Sequence, residues 1–216
     1  MRRGELLLLV LRLGFAGSGV AAIAYQAGTL KAAGLLRPGN FFSFFTIQSN
    51  VLAVCVLCAT AVVRRAERSP VFDVVRGAIT LYMAITGVVF AVLLSGLQES
   101  LDTHIGWVNF VVHSLLPVVL VVDWLVDPPR SRPSLRVGAF WLVYPLAWFV
   151  YTLVRGSRAD WYPYPFVDVS EHGYGRVFLN GVGLLVFFAV AGSVLVLVGN
   201  LLAANVPSAR RAREGR

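Results

Sequence analysis

Charge is scarce in this sequence. Asp, Glu, Lys and Arg make up 14% of its 216 residues, where a soluble domain carries about 25%. Hydrophobic residues make up 57%, and the mean hydropathy is +0.74. That balance excludes a soluble globular domain and points to a membrane protein. Long polar stretches are missing as well. Six apolar blocks, near 5–30, 41–63, 74–97, 107–124, 137–154 and 176–202, each approach or exceed the roughly 20 residues of a spanning helix, and the short connections leave no room for a second domain. Strand-like alternation is weak, which disfavours a membrane barrel. The sequence therefore predicts one all-α domain, a bundle of six transmembrane helices.

Cysteine and histidine are sparser still. The two cysteines, Cys55 and Cys58, form a C-x-x-C, but they sit mid-span in VLAVCVLCAT with no third cysteine to exchange with, so they read as small apolar packing residues. Of three histidines only His113 falls inside a span, which argues against a bis-histidine haem. No phosphate-binding glycine loop and no H-E-x-x-H is present. No cofactor and no metal is expected.

The net charge of +8 does not imply nucleic acid, because the basic residues form no single stripe. They mark topology. Arginines gather at 2–3, 64–76, 130–136 and 210–216, against Lys31, Arg37, Arg155, Arg158 and Arg176 on the opposite side. The positive-inside rule then puts both termini, and the basic tail at 203–216, in the cytoplasm of a plasma-membrane protein. Arg12, inside the first span, is expected to snorkel to the headgroups.

What remains is a small set of polar residues in apolar surroundings. The stretch from Phe41 to Asn50, FFSFFTIQSN, opens the second span, with Asn40 as its expected N-cap, and puts Ser43, Thr46 and Asn50 on one helical side. Side chains of this kind in a membrane helix usually face a packed interior or a cavity. The second span enters from the outer face, so Thr46 lies one to two turns deep. His113, counted from Trp107 at the outer interface, reaches nearly the same depth. A neutral imidazole within reach of a threonine hydroxyl can take its proton and make it a nucleophile. The bland alternatives are a Thr46 hydroxyl bonded within its own helix and a histidine that only ties helices together.

Asn109 and Asn50 each lie one turn from His113 and Thr46, and Asn180 sits near the outer end of the sixth span. Any of them could orient the imidazole or steady an oxyanion, and each could equally be helix-to-helix glue. Asp102, Asp168 and Glu171 are loop carboxylates only. Gly77, Gly87 and Gly96 suit close helix contact in the third span, and Tyr144-Pro145 predicts a kink in the fifth. Trp107 and the segment Trp161, Tyr162, Pro163, Tyr164, Pro165, Phe166 are candidates for the outer mouth of a site.

Three segments, Phe44-Phe45-Thr46, Trp107 to Pro117 and Trp161 to Phe166, resemble corresponding parts of the androgen-induced family of six-pass membrane proteins, and more closely bacterial six-pass relatives. The resemblance runs in order along nearly the whole chain. It implies an intramembrane threonine hydrolase of fatty acid esters of hydroxy fatty acids, with Thr46 at the threonine position and His113 at the histidine position. The region after Thr46, with Gln48, Ser49 and Asn50, is more polar than the animal members lead one to expect. The resulting expectation is a hydrolase that cleaves a long-chain lipid ester near the outer leaflet, with the ester and membrane lipids as its partners. The alternative is a non-enzymatic six-pass transporter, lipid-binding protein or scaffold.

Overall fold

The computed structural model describes residues 3–98 and 105–205. The loop carrying Glu99, Asp102 and His104, and the arginines of the tail, lie outside the described residues. Six helices are long and apolar enough to cross a membrane: α1 Arg3–Ala32, α2 Phe45–Val62, α3 Pro70–Leu94, α4 Gly106–Val126, α5 Leu135–Ala159 and α6 Val169–Asn205. No strand occurs among the described residues. The protein is an all-α, multi-pass membrane bundle.

Neighbouring passes run in opposite directions. Arg12, early in α1, donates to the Thr60 carbonyl late in α2 (3.1 Å), and Asn200, late in α6, donates to Pro133 between α4 and α5 (3.0 Å). The start of α1 and the finish of α6 therefore share one end of the bundle, here the arginine end. In an apolar 18-residue stretch of each pass, half is buried in α2, α3 and α4, against 22% in α1 and α5 and 17% in α6. The middle three passes are the core. The outer ones present Leu7, Val20, Phe178 and Leu201 outward, as helices do when lipid is as apolar as they are.

Small residues set the closest approaches of α3. A Cβ on Gly77 would lie 2.6 Å from the Trp141 ring, and one on Gly87 would lie 3.0 Å from Pro117. A Cβ on Gly96, expected to behave alike, would meet nothing within 4 Å among the described residues. The cysteines divide: Cys58 packs against the core, whereas Cys55 is exposed.

Two prolines shape the helices beside the core. Pro145 was expected to kink the fifth pass in mid-run; instead a 3-10 turn at Phe140–Leu142 precedes a regular helix, Val143–Ala159. A proline has no N–H for the carbonyl four residues back, and that carbonyl, on Trp141, accepts the Tyr82 hydroxyl instead (2.8 Å). Pro117 does the same to the carbonyl of His113, and the chain widens there into a π-helical turn, Val111–Leu115. Such turns are often found at functional sites.

Arg12 does not snorkel. It is buried, its Nε donating to Asp123 (2.7 Å) and its Nη2 to Asp127 (2.6 Å). Arg76 donates to Asp123 (2.8 Å), Arg68 to Asp127 (2.8 Å), and Arg65 lies 3.4 Å from the second Asp127 oxygen. All four carboxylate oxygens are thereby engaged. A guanidinium this far inside gains more from two carboxylates than from a stretched path to the headgroups, because burial without partners would be costly. Burial pushes the Asp127 carboxyl up, but the Arg68 hydrogen bond, the charges of Arg76 and Arg68 and the Arg12 bond hold it below the usual carboxylate range.

Candidate functional site at the far end of the bundle

Thr46 does not sit inside a long helix that begins at residue 41. A one-turn helix, Pro38–Phe41, comes first, the chain turns through Phe42 and Ser43, and Phe44 is extended (φ −65°, ψ 126°) before α2 starts at Phe45. Asn40 caps nothing there; its side-chain oxygen accepts from Arg155 (2.7 Å). Ser43 is off the helix and donates to the Gly39 carbonyl (2.6 Å). Thr46 thus occupies the first turn of α2, where backbone N–H groups have no partner within the helix and the macrodipole is positive. No side chain of the preceding residue caps them.

The cap comes from a distant part of the chain. The Tyr164 hydroxyl oxygen accepts the Thr46 N–H at 3.1 Å and lies 3.1 Å from Thr46 Oγ1, with which it shares a hydrogen bond. Two prolines stiffen its segment, and its ring stacks on Phe166 (5.2 Å between centroids) and meets the edges of Phe44 and Trp148. Trp148 in turn donates to the Ser43 carbonyl (2.9 Å), so the α5–α6 connection and the entrance to α2 are tied together. Burial raises the pKa of the Tyr164 phenol above its ordinary value, its bonds to Thr46 pulling the other way. It therefore stays a protonated donor.

His113 lies in the π-helical turn of α4, 7% exposed, its ring stacked on Phe90 at 4.1 Å. Phe90 opens a second π-helical turn, Phe90–Leu94, in α3. The imidazole Nδ1 has no hydrogen bond of normal geometry.

Two hollows meet at Thr46. The first, about 310 Å³, is lined by Thr46, His113, Asn109, Tyr164, Trp161, Gln26, Arg37 and Asn40 among others. The second, about 410 Å³, lies among α2, α3, α5 and α6; besides Thr46, Thr86 and Tyr164 its lining is apolar or aromatic, including Val89, Phe149 and Phe188. Thr46 and Tyr164 are the residues common to both linings. Thr46 and His113 face the same hollow, but each bonds elsewhere or not at all: Thr46 is engaged by Tyr164, not by the imidazole.

The remaining expected residues separate. Asn50 spends both N–H bonds on the carbonyls of Thr46 (2.9 Å) and Val112 (3.0 Å), fixing α2 to α4, so it has none to offer an oxyanion. Asn180 donates to the Phe166 carbonyl (2.9 Å) and borders a separate outer hollow with Glu171, away from Thr46. Asn109 does line the His113 hollow. Asp168 bonds the N–H groups of Ser170 and Glu171 at the start of α6, and neither acid reaches His113. Trp107 is half exposed and packs on Tyr25 (5.2 Å), outside both linings. Tyr162 covers Gly156, where a Cβ would lie 2.0 Å from its ring. Trp161 lines the first hollow, with Arg155 over its ring at 5.2 Å. Tyr164, expected only at the mouth, is the direct partner of Thr46. Among the described residues no cluster of His, Cys, Asp and Glu could hold a metal ion.

Comparison with protein-family models, curated proteins and solved structures finds no match.

Proposed function

We propose that this protein is an intramembrane hydrolase that cleaves a long-chain lipid ester, with Thr46 as nucleophile and His113 as base. The observation that carries the reading is the shared hollow: a hydroxyl on the first turn of a helix and a buried imidazole line one space of about 310 Å³. The resemblance of the segments around Thr46, His113 and Trp161 to the androgen-induced family points the same way. In this reading the arginine end lies in the cytoplasm of a plasma-membrane protein and the ester enters laterally from the outer leaflet.

The steps follow from the chemistry. Thr46 Oγ bonds to the acyl carbon while its proton passes to the imidazole; the ester C–O bond breaks and the alcohol leaves with that proton. Water then adds to the acyl-threonine, the imidazole taking its proton, and the threonine hydroxyl is restored as the acid departs. The tetrahedral oxyanion needs donors. The first-turn N–H groups of α2 and the Tyr164 O–H supply them once Tyr164 exchanges its bond with Thr46 for one to the substrate. Asn109 borders the same space as an orienting group.

Hydrolysis of long-chain p-nitrophenyl esters by protein in detergent tests this. The wild type turns over, and Thr46→Ala and His113→Ala each lose about 10²-fold or more. Folded variants with undiminished turnover would remove the mechanism. A non-catalytic lipid-binding role is favoured by one observation, the engagement of the Thr46 hydroxyl by Tyr164; there the ester binds and is never cleaved.

A further inference from the structure

The two hollows on either side of Thr46 and Tyr164 differ in chemistry, and that difference has a direction. His113 lines only the first. The second offers no titratable group apart from the shared Tyr164. In an ester hydrolysis the proton taken from the nucleophile must be returned to the oxygen of the leaving alcohol, so that oxygen must stand on the side of the proton carrier. The acyl chain then extends to the opposite side of the carbonyl. Polarity agrees with this: Gln26, Asn40 and Asn109 accompany His113, whereas Val89, Phe149 and Phe188 line the other hollow.

We infer that the substrate is a two-armed ester held astride the Thr46–Tyr164 junction, its hydrocarbon acyl arm in the apolar hollow among α2, α3, α5 and α6 and its alcohol arm in the polar hollow beside α1 and α4. The inference rests on the hydrolase reading for its direction, but the two-sided binding has its own readout. It also sets the selectivity: the acyl side takes plain hydrocarbon, and the alcohol side accepts hydrogen-bonding substituents. Wall residues govern the two lengths separately. Val89 limits the acyl arm and Ile23 the alcohol arm; both are half-buried, so a larger ring fills space without displacing the core.

The test uses one long-chain ester made in two forms, with a photoreactive diazirine at the end of either the acyl or the alcohol chain. Each is irradiated with full-length Thr46→Ala protein in detergent, and the labelled peptides are identified by mass spectrometry. The acyl tag is expected on 145–153 and 178–188, the alcohol tag on 23–37 and 105–113. Reversed tags, both tags in one hollow, or labelling of neither overturns the inference. Turnover of the same untagged ester by the wild type is measured alongside. Partitioned tags without turnover would sink the hydrolase reading while leaving the two-armed binding site; turnover with reversed tags would do the opposite. In the wild-type background Val89→Trp is expected to reduce turnover of the longest acyl chain about 10-fold with the alcohol preference unchanged, and Ile23→Trp the converse. A loss that ignores chain length in both variants also counts against the assignment.

Discussion

Two polar clusters sit at opposite ends of the same helices, and they are built on opposite terms. At the arginine end the charges of Arg12, Arg65, Arg68 and Arg76 close on Asp123 and Asp127, every carboxylate oxygen is engaged, and none of these side chains borders either hollow beside Thr46. At the far end Thr46, Tyr164 and His113 carry no charge pair, and both hollows open beside them. The first arrangement fixes four parts of the chain to one another. The second places hydroxyl and imidazole groups on the walls of open space, as a binding site must. A through-going polar path would have joined the two, and the closed ion network does not favour one.

The contrast breaks most visibly at the arginine end. Asp123→Ala leaves Arg12 and Arg76 short of a buried partner, and the loss of stability is expected to be about 3–5 kcal/mol, read as a large fall in the thermal midpoint in detergent. An unchanged midpoint would mean the network is not holding the bundle. Next is Asn50→Leu, which strips the Val112 carbonyl of its partner and is expected to cost about 1–3 kcal/mol, again by thermal unfolding. Tyr164→Phe keeps the stacked ring and removes one hydroxyl. It is expected to lower stability by about 1 kcal/mol or less but kcat by about 10²-fold with little change in KM, because in the proposed mechanism that hydroxyl donates to the oxyanion. The smallest effect is one of pH. The Asp127 carboxyl is depressed in the folded state, so its contribution is present above the unfolded value of about 4 and disappears as pH falls through the folded one. The midpoint should fall below about pH 4 in the wild type, with a flatter profile in Asp127→Asn.

Much of this architecture was legible in composition and spacing. Six apolar runs gave six passes, and the boundaries moved by about a turn at most ends. The errors have physical causes. Arg12 reads as a snorkelling side chain because its carboxylates are more than a hundred residues away in sequence. The true start of α2 is hidden because Phe42 to Phe44 is as apolar as the helix after it and contains no glycine or proline. That break matters most, since it moves Thr46 from a helix interior to a helix N-terminus. The depth count for Thr46 and His113 was sufficient to bring them to one hollow, because rise per residue is nearly invariant. Tyr164 reads as part of the outer mouth; nothing in a loop's sequence says which aromatic hydroxyl turns inward. The π-helical turn at His113 did have a signal, a proline four residues later at Pro117.

The most direct test of the central claim is covalent. A fluorophosphonate probe is applied to the purified wild type, Thr46→Ala and His113→Ala, and the modified residue is located by mass spectrometry. A phosphonylated Thr46 is expected in the wild type, with loss of that adduct in both variants and unaltered thermal midpoints. Wild-type protein that is well folded and takes up no probe, or that is labelled equally after His113→Ala, would contradict an activated threonine at this site.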